Sequence, residues 1–158
     1  MKTMENIENN ILEKDLIDEI NINILLSKNP LRAIEIINEH INKKNPFVKV
    51  YILALLNRDD LDKEISLKIN ELVLNYISNF SKDPELLYDY LLFIFNNNLI
   101  GTLKREDLVS YIEIVFNQEE NYDKLYDFII RAVKNDSSNI IYEKLIDLFL
   151  ERLSKDNV

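Results

Sequence analysis

His40 is the one imidazole in the chain and the side chain best suited to move protons near neutral pH. It follows Glu39 directly and lies five residues after Glu35, so a carboxylate-assisted general base is one chemistry it could serve. It also stands three residues after Ile37 and one before Ile41, near the end of an apolar-periodic helical segment. There the negative end of the helix dipole favours a partial positive charge, and a helix-flank histidine is the reading adopted. A di-iron carboxylate bundle needs two Glu-x-x-His motifs. Ile37 stands three residues before the one histidine, which excludes that site. Asp60, Asp62, Glu64 and Glu71 fall at relative positions 1, 3, 5 and 12 of a calcium loop, but position 6 is Ile65, where the turn requires glycine. They read instead as acids opening a helix.

Two further acidic groups, Asp15-Asp18-Glu19 and Glu119-Glu120-Asp123, could hold a cation or a basic peptide, and read first as solvated faces. Lys104-Arg105 and the Arg131/Lys134 pair are sparse and flanked by Glu106, Asp107, Asp127 and Asp136, unlike a nucleic-acid patch. Tyr88, Tyr90, Tyr111, Tyr122, Tyr126 and Tyr142 combine apolar bulk with a polar tip, which suits binding surfaces. At helical spacing, core packing is their first reading. No Ser-His-Asp arrangement can be argued from the sequence. The expectation is therefore a non-enzymatic chain with no catalytic residue, no metal and no cofactor.

Composition narrows the field further. The 158 residues carry a net charge of −9, no cysteine, no tryptophan, one glycine and three prolines. Lack of cysteine removes disulfides, thiolate metal sites and cysteine nucleophiles, and is compatible with the cytoplasm. A single glycine cannot build a phosphate-cradling loop, and disfavours a β-rich fold with its many tight turns. Residues 1–10 hold two glutamates and no apolar run, unlike a signal peptide, and runs such as Leu91–Phe95 are far too short to span a bilayer. The negative charge disfavours direct binding to nucleic acid or to anionic membranes. Abundant asparagine and isoleucine match AT-rich codon usage, and Asn96-Asn97-Asn98 is read as that bias.

The elements follow from the punctuation. Asn29-Pro30, Asn45-Pro46 and Asp83-Pro84 each pair a good N-cap with a proline preset for the first helical position, and a lysine precedes each pair. Further boundaries fall at Asn57–Asp60, at Asn96–Thr102, near Asn117–Asn121 and at Lys134–Ser138. Gly101 is expected to take positive φ and Thr102 to cap the next helix. Between boundaries the apolar residues recur at helical spacing, as in Ala33, Ile34, Ile37 and Ile41, or Leu87, Tyr88, Leu91, Leu92 and Phe95. The reading is all-α, with about eight helices over Glu13–Ser27, Pro30–Lys44, Pro46–Asn57, Leu61–Phe80, Pro84–Asn96, Leu103–Asn117, Glu119–Lys134 and Ser138–Leu153. Short loops make neighbours antiparallel. Residues 2–12 either extend the first helix or fray, 13–154 form a single helical domain, and 155–158 are a tail.

Hairpin starts step from Pro46 to Pro84 to Asn121, a period of about 37 residues that suits stacked helix pairs. The run Asn29-Pro30-Leu31-Arg32-Ala33-Ile34-Glu35-Ile36-Ile37 through Asn45-Pro46 resembles the second helix of a tetratricopeptide repeat entering the next repeat. Its small positions match at Ala33 and Ala54, whereas large residues stand at the others. The later segment Tyr122–Ile129 is similar to the helical repeats of vesicle-coat and tethering proteins. These resemblances imply an α-solenoid or a compact helical bundle that binds protein and catalyses nothing.

The expected function is a protein-interaction module or adaptor, its groove lined by the helices that begin at Pro46, Pro84 and Asn121. Lys49, Asp89, Tyr90 and Lys124 are the outward residues expected to touch a protein or peptide partner, and a basic partner would lose affinity with salt. The alternative is a small acidic inhibitor, a phage-type antagonist or nucleic-acid mimic that blocks a host enzyme. A mimic concentrates acids on one face, whereas here 12 acids and 9 bases precede residue 65, and 16 and 10 follow. A third class, an enzyme or small-ligand binder, needs a pocket that converges on His40 or on paired carboxylates.

Overall fold

The structure, a computed structural model, describes residues 19–135 and 140–156. Eight α-helices occupy the described residues: α1 Glu19–Lys28, α2 Pro30–Asn42, α3 Val48–Leu56, α4 Lys63–Asn79, α5 Pro84–Asn96, α6 Arg105–Gln118, α7 Tyr122–Asn135 and α8 Ile140–Asp156. One 3-10 turn, Ile100–Thr102, precedes α6, and no strand occurs among the described residues. The all-α reading stands. The expected 2–12 segment, Asp15, Asp18 and the boundary at 136–138 lie outside the described residues.

The helices start where capping chemistry is strongest. The Asn29 side chain accepts from Arg32 N at 3.3 Å, and Pro30 opens α2. Asp83 accepts from Glu85 N at 3.0 Å and Leu86 N at 3.3 Å ahead of Pro84. Asp62 accepts from Ile65 N at 2.9 Å, and Asn121 from Asp123 N at 2.9 Å. Each bond satisfies a backbone donor that the first helical turn would leave orphaned.

Two boundaries differ from the sequence reading. Asn45-Pro46 does not open a helix; the Asn45 side chain accepts from Phe47 N at 3.1 Å in a turn, and α3 begins at Val48. The cause lies upstream. Lys44 takes φ 61°, Lys44 N donates to Ile41 O at 2.9 Å and Asn45 N to His40 O at 3.0 Å, a Schellman closure of α2 that claims Asn45. Gly101 has no positive φ; Asn98 takes the left-handed turn instead, at φ 56°. Leu99 N then donates to Ile94 O at 2.9 Å, closing α5 in the same way, with Leu99 buried behind it. Thr102 donates its hydroxyl to Leu99 O at 2.6 Å and so does not cap α6.

The chain divides into two compact units, residues 1–81 and 82–158. In the first, α1 packs on α2 and α3 on α4, with α2 lying along α4 most extensively. Its core is aliphatic: Leu25, Ile36, Ile37, Ile41, Ile52 and Leu55 are fully buried. In the second, α5 pairs with α6 and α7 with α8, while α5 also packs on α7 and α6 on α8. Its core is aromatic and centres on Phe128, whose ring meets Phe95 at 5.4 Å, Tyr88 at 5.7 Å and Phe116 at 6.1 Å. Such ring pairs add to the burial of their large apolar area.

Candidate binding recess and asparagine ladder

In the second unit the start of α5, the end of α6 and the start of α7 enclose an open recess of about 530 Å³. Its lining includes Asp83, Glu85, Asp89, Glu119, Tyr88 and Lys124. Tyr88 and Lys124 tie two walls together. The Lys124 ammonium lies 4.8 Å from the Tyr88 ring centroid, and the Tyr88 hydroxyl donates to Lys124 O at 3.3 Å. Lys124 Nζ also lies 3.5 Å from Glu119 Oε2. Burial, then the charges of Asp127 and Glu119, pushes the Tyr88 phenol above its ordinary range, so it stays a neutral donor. Four carboxylates, one ammonium and an aromatic face thus line the recess, with Asp83 engaged in the α5 cap and Glu119 paired with Lys124.

The four residues expected at a binding surface separate. Asp89 and Lys124 come together in the recess. Lys49 is half-buried on α3 of the first unit. Tyr90 corrects the expectation: it is fully buried against Tyr111, ring centroids 6.5 Å apart. It follows Asp89 by one residue and therefore turns about 100° away from it around α5, into the core. Among the other tyrosines whose side chains are described Tyr126 is the exposed one, and Tyr122 packs edge-on against Phe149. The recess centres on Tyr88, which the sequence reading left among the core tyrosines; its signal is the 36-residue separation from Lys124, close to the hairpin period.

The first unit holds a second groove, of about 380 Å³, between α2 and α4. A ladder of asparagines runs along it. Lys44 Nζ donates to Asn79 Oδ1 at 2.7 Å, and Asn79 Nδ2 donates to Asn75 Oδ1 at 2.8 Å. Asn75 Nδ2 then donates to Asn38 Oδ1 at 2.6 Å and to Asn42 Oδ1 at 3.3 Å. Sequence reasoning missed this set because asparagine was assigned to codon bias. The signal was present: Asn38 and Asn42 recur as Asn75 and Asn79, each 37 residues later.

The other candidates have structural partners. His40 is buried in the last turn of α2, with Asn45 Nδ2 at 3.2 Å from its Nδ1. The calcium-like spacing is dismantled by the start of α4: Asp62 caps that helix, Asp60 forms a two-point pair with Arg58 at 2.7 and 3.0 Å, and Glu71 faces Lys68 at 3.6 Å. The Arg58 pair holds the Asp60 carboxyl below its usual range. Among the described residues no three His, Asp or Glu side chains converge to hold a metal ion. No helix among them is long and apolar enough to cross a membrane. No family model matches the chain, and no curated protein or solved structure is significantly similar to it.

Proposed function

We propose that this chain is a non-enzymatic, cytoplasmic protein-interaction module of tetratricopeptide-like helical hairpins, and that its second unit takes a basic segment of a partner protein. The recess around Tyr88, Asp89 and Lys124 carries this reading. It is walled by two successive first helices, α5 and α7, as the groove of a hairpin repeat would be. The stacking of α5 on α7, of α6 on α8 and of α2 on α4 supports the repeat reading. The excess of carboxylates at the recess supports a basic partner.

The inhibitor alternative draws less support. Lys68–Glu71, Lys124–Glu119, Arg131–Asp127 and Lys144–Glu113 intersperse the two signs, whereas a phosphate mimic presents one. Fluorescent nonapeptides that differ only in charge test the proposal. A lysine-rich peptide is expected to bind the full chain, to weaken at least tenfold between 50 and 500 mM salt, and to lose affinity with Asp89→Lys. Preference for a glutamate-rich peptide, or indifference to charge and to Asp89→Lys, would overturn it.

A further inference from the structure

Helix α7 has two sides. Leu125, Phe128, Ile129 and Ala132 are buried, and α7 packs on α5 and α8 in the core of the second unit. The opposite side carries Asp123, Tyr126, Asp127, Ile130, Arg131 and Lys134, all exposed. Their spacings of three and four residues place them on one face. Two of them do not belong on a solvated face. Tyr126 is 59% exposed, more than any other large apolar side chain described, and Ile130, one turn on, is 37% exposed. A single exposed apolar residue is ordinary, whereas two stacked at the centre of a helix face mark a contact.

The charges around this pair are ordered. Asp123 and Asp127 lie toward the start of α7, Arg131 and Lys134 toward its end. The helix dipole favours that order but does not account for the apolar pair between them. The four charges cancel, while the whole chain carries −9, so this is a face on which two copies can approach without net repulsion.

We propose that the outer face of α7 joins two copies of this chain in a twofold dimer, with the two α7 helices antiparallel. The order of charge selects this occupant. Reversed about a point between Phe128 and Ile129, the face maps onto itself. Asp123 then stands opposite Lys134 of the second copy, Tyr126 opposite its Arg131, and Asp127 opposite its Ile130. A parallel pair would set like charges together, and a uniformly basic or acidic partner would be repelled at one end. Arg131 Nε keeps its own Asp127 Oδ2 at 3.1 Å and presents its guanidinium plane to the Tyr126 ring of the second copy. The apolar pair sits at the centre and the charges at the rim, as in other protein interfaces. One face of a 14-residue helix is a small contact, so the dimer forms and dissociates readily. It is independent of the recess, which α7 lines through Lys124.

The test is sedimentation equilibrium of the full chain from about 10 to about 500 µM, a range suited to a small interface. A reversible monomer–dimer equilibrium is expected. Tyr126→Ala, Asp123→Lys and Lys134→Asp are each expected to weaken it at least about tenfold. Asp123→Lys combined with Lys134→Asp is expected to restore it to within about threefold of wild type. The combination opposes the helix dipole at both ends, so damage to α7 itself would make it the worst of the set. Circular dichroism on each variant checks that the helices are kept, and Ile130→Ala stands in for any variant that loses them. A chain monomeric throughout the range would overturn the inference. So would a dimer indifferent to Tyr126→Ala and Ile130→Ala, a folded double charge variant that stays monomeric, or assembly that continues past two copies, because a twofold contact closes on itself.

Discussion

Asn75 and Asn38 are 37 residues apart in the chain, and their side-chain amides meet at 2.6 Å. The separation is close to the spacing of the hairpin starts, and the bond ties α4 to α2. Tyr88 and Lys124 repeat the relationship in the second unit at a separation of 36. An apolar interface between α2 and α4 tolerates sliding, whereas a directional amide bond does not. In both units a polar contact bridges two helices whose adhesion comes from burial.

Asn75→Ala removes three hydrogen bonds at once, two donated to α2 and one accepted from Asn79. Net hydrogen bonds contribute about 1 kcal/mol each when buried and less when half-exposed, so a loss of about 1–2 kcal/mol is expected. Urea denaturation of Asn75→Ala and Asn38→Asp checks it. Asn38→Asp keeps the acceptor and should fall within about 0.5 kcal/mol of wild type.

Two left-handed residues close helices without glycine. Lys44→Gly and Asn98→Gly both relieve strained backbone, yet they should differ. Asn98 has a residue type that tolerates this conformation, and its replacement by glycine should change stability by no more than a few tenths of a kcal/mol. Lys44→Gly gains about 1 kcal/mol from the backbone but forfeits the Nζ contacts to Asn79 and to the Phe80 ring. Lys44→Met with Lys44→Gly, both measured by thermal melting, separates the two contributions. Methionine, which keeps the strain and loses the ammonium, should be the least stable of the three.

The helical architecture is legible in the sequence because its determinants are local. Asn29-Pro30 and Asp83-Pro84 carry the cap and the first-turn preference in adjacent residues. Asn45-Pro46 carries the same letters and fails, because the competing partner of Asn45 is His40, brought back by the closing turn of α2. Tyr90 fails for a different reason. An almost wholly apolar α5 has no clean polar face, so periodicity cannot say whether Tyr88 or Tyr90 turns outward; the packing of α7 on one side of α5 decides it. The recess residues Asp89 and Lys124 were legible as charges, and their meeting was not.

Phe128 joins α7 to the core of the second unit through three rings. Phe128→Ala should cost about 3–5 kcal/mol, by lost burial and by the cavity left among Tyr88, Phe95 and Phe116. Phe128→Leu should recover more than half of that. Removing the ring also frees Tyr88 from its stack, so Phe128→Leu is expected to weaken the lysine-rich nonapeptide even where the fold survives. Chemical denaturation and peptide titration on the same variant check both effects.

Tyr90 links stability to alkaline pH, and the sign follows from its burial. Desolvation, reinforced by Tyr111, pushes its phenol well above the ordinary value of 10.0. Tyr111 and Tyr88 are raised as well, again chiefly by burial. In the unfolded chain each ionises near pH 10, while the folded chain still holds the proton. Above that pH the unfolded state therefore binds fewer protons than the native state, and the free energy of unfolding falls as pH rises. The stability from neutral Tyr90 is complete below about pH 10 and is lost through the range up to its folded value, at about 1.4 kcal/mol per pH unit for one fully ionised group. Tyr90→Phe removes the ionisable group but keeps the ring against Tyr111. It should cost about 1 kcal/mol at pH 7 through the lost hydroxyl contact, yet show a shallower decline between pH 10 and 12. Urea midpoints measured at half-unit intervals from pH 7 to 12 should therefore converge for the two proteins as pH rises; parallel curves would mean that Tyr90 ionises in the folded state as readily as in the unfolded chain.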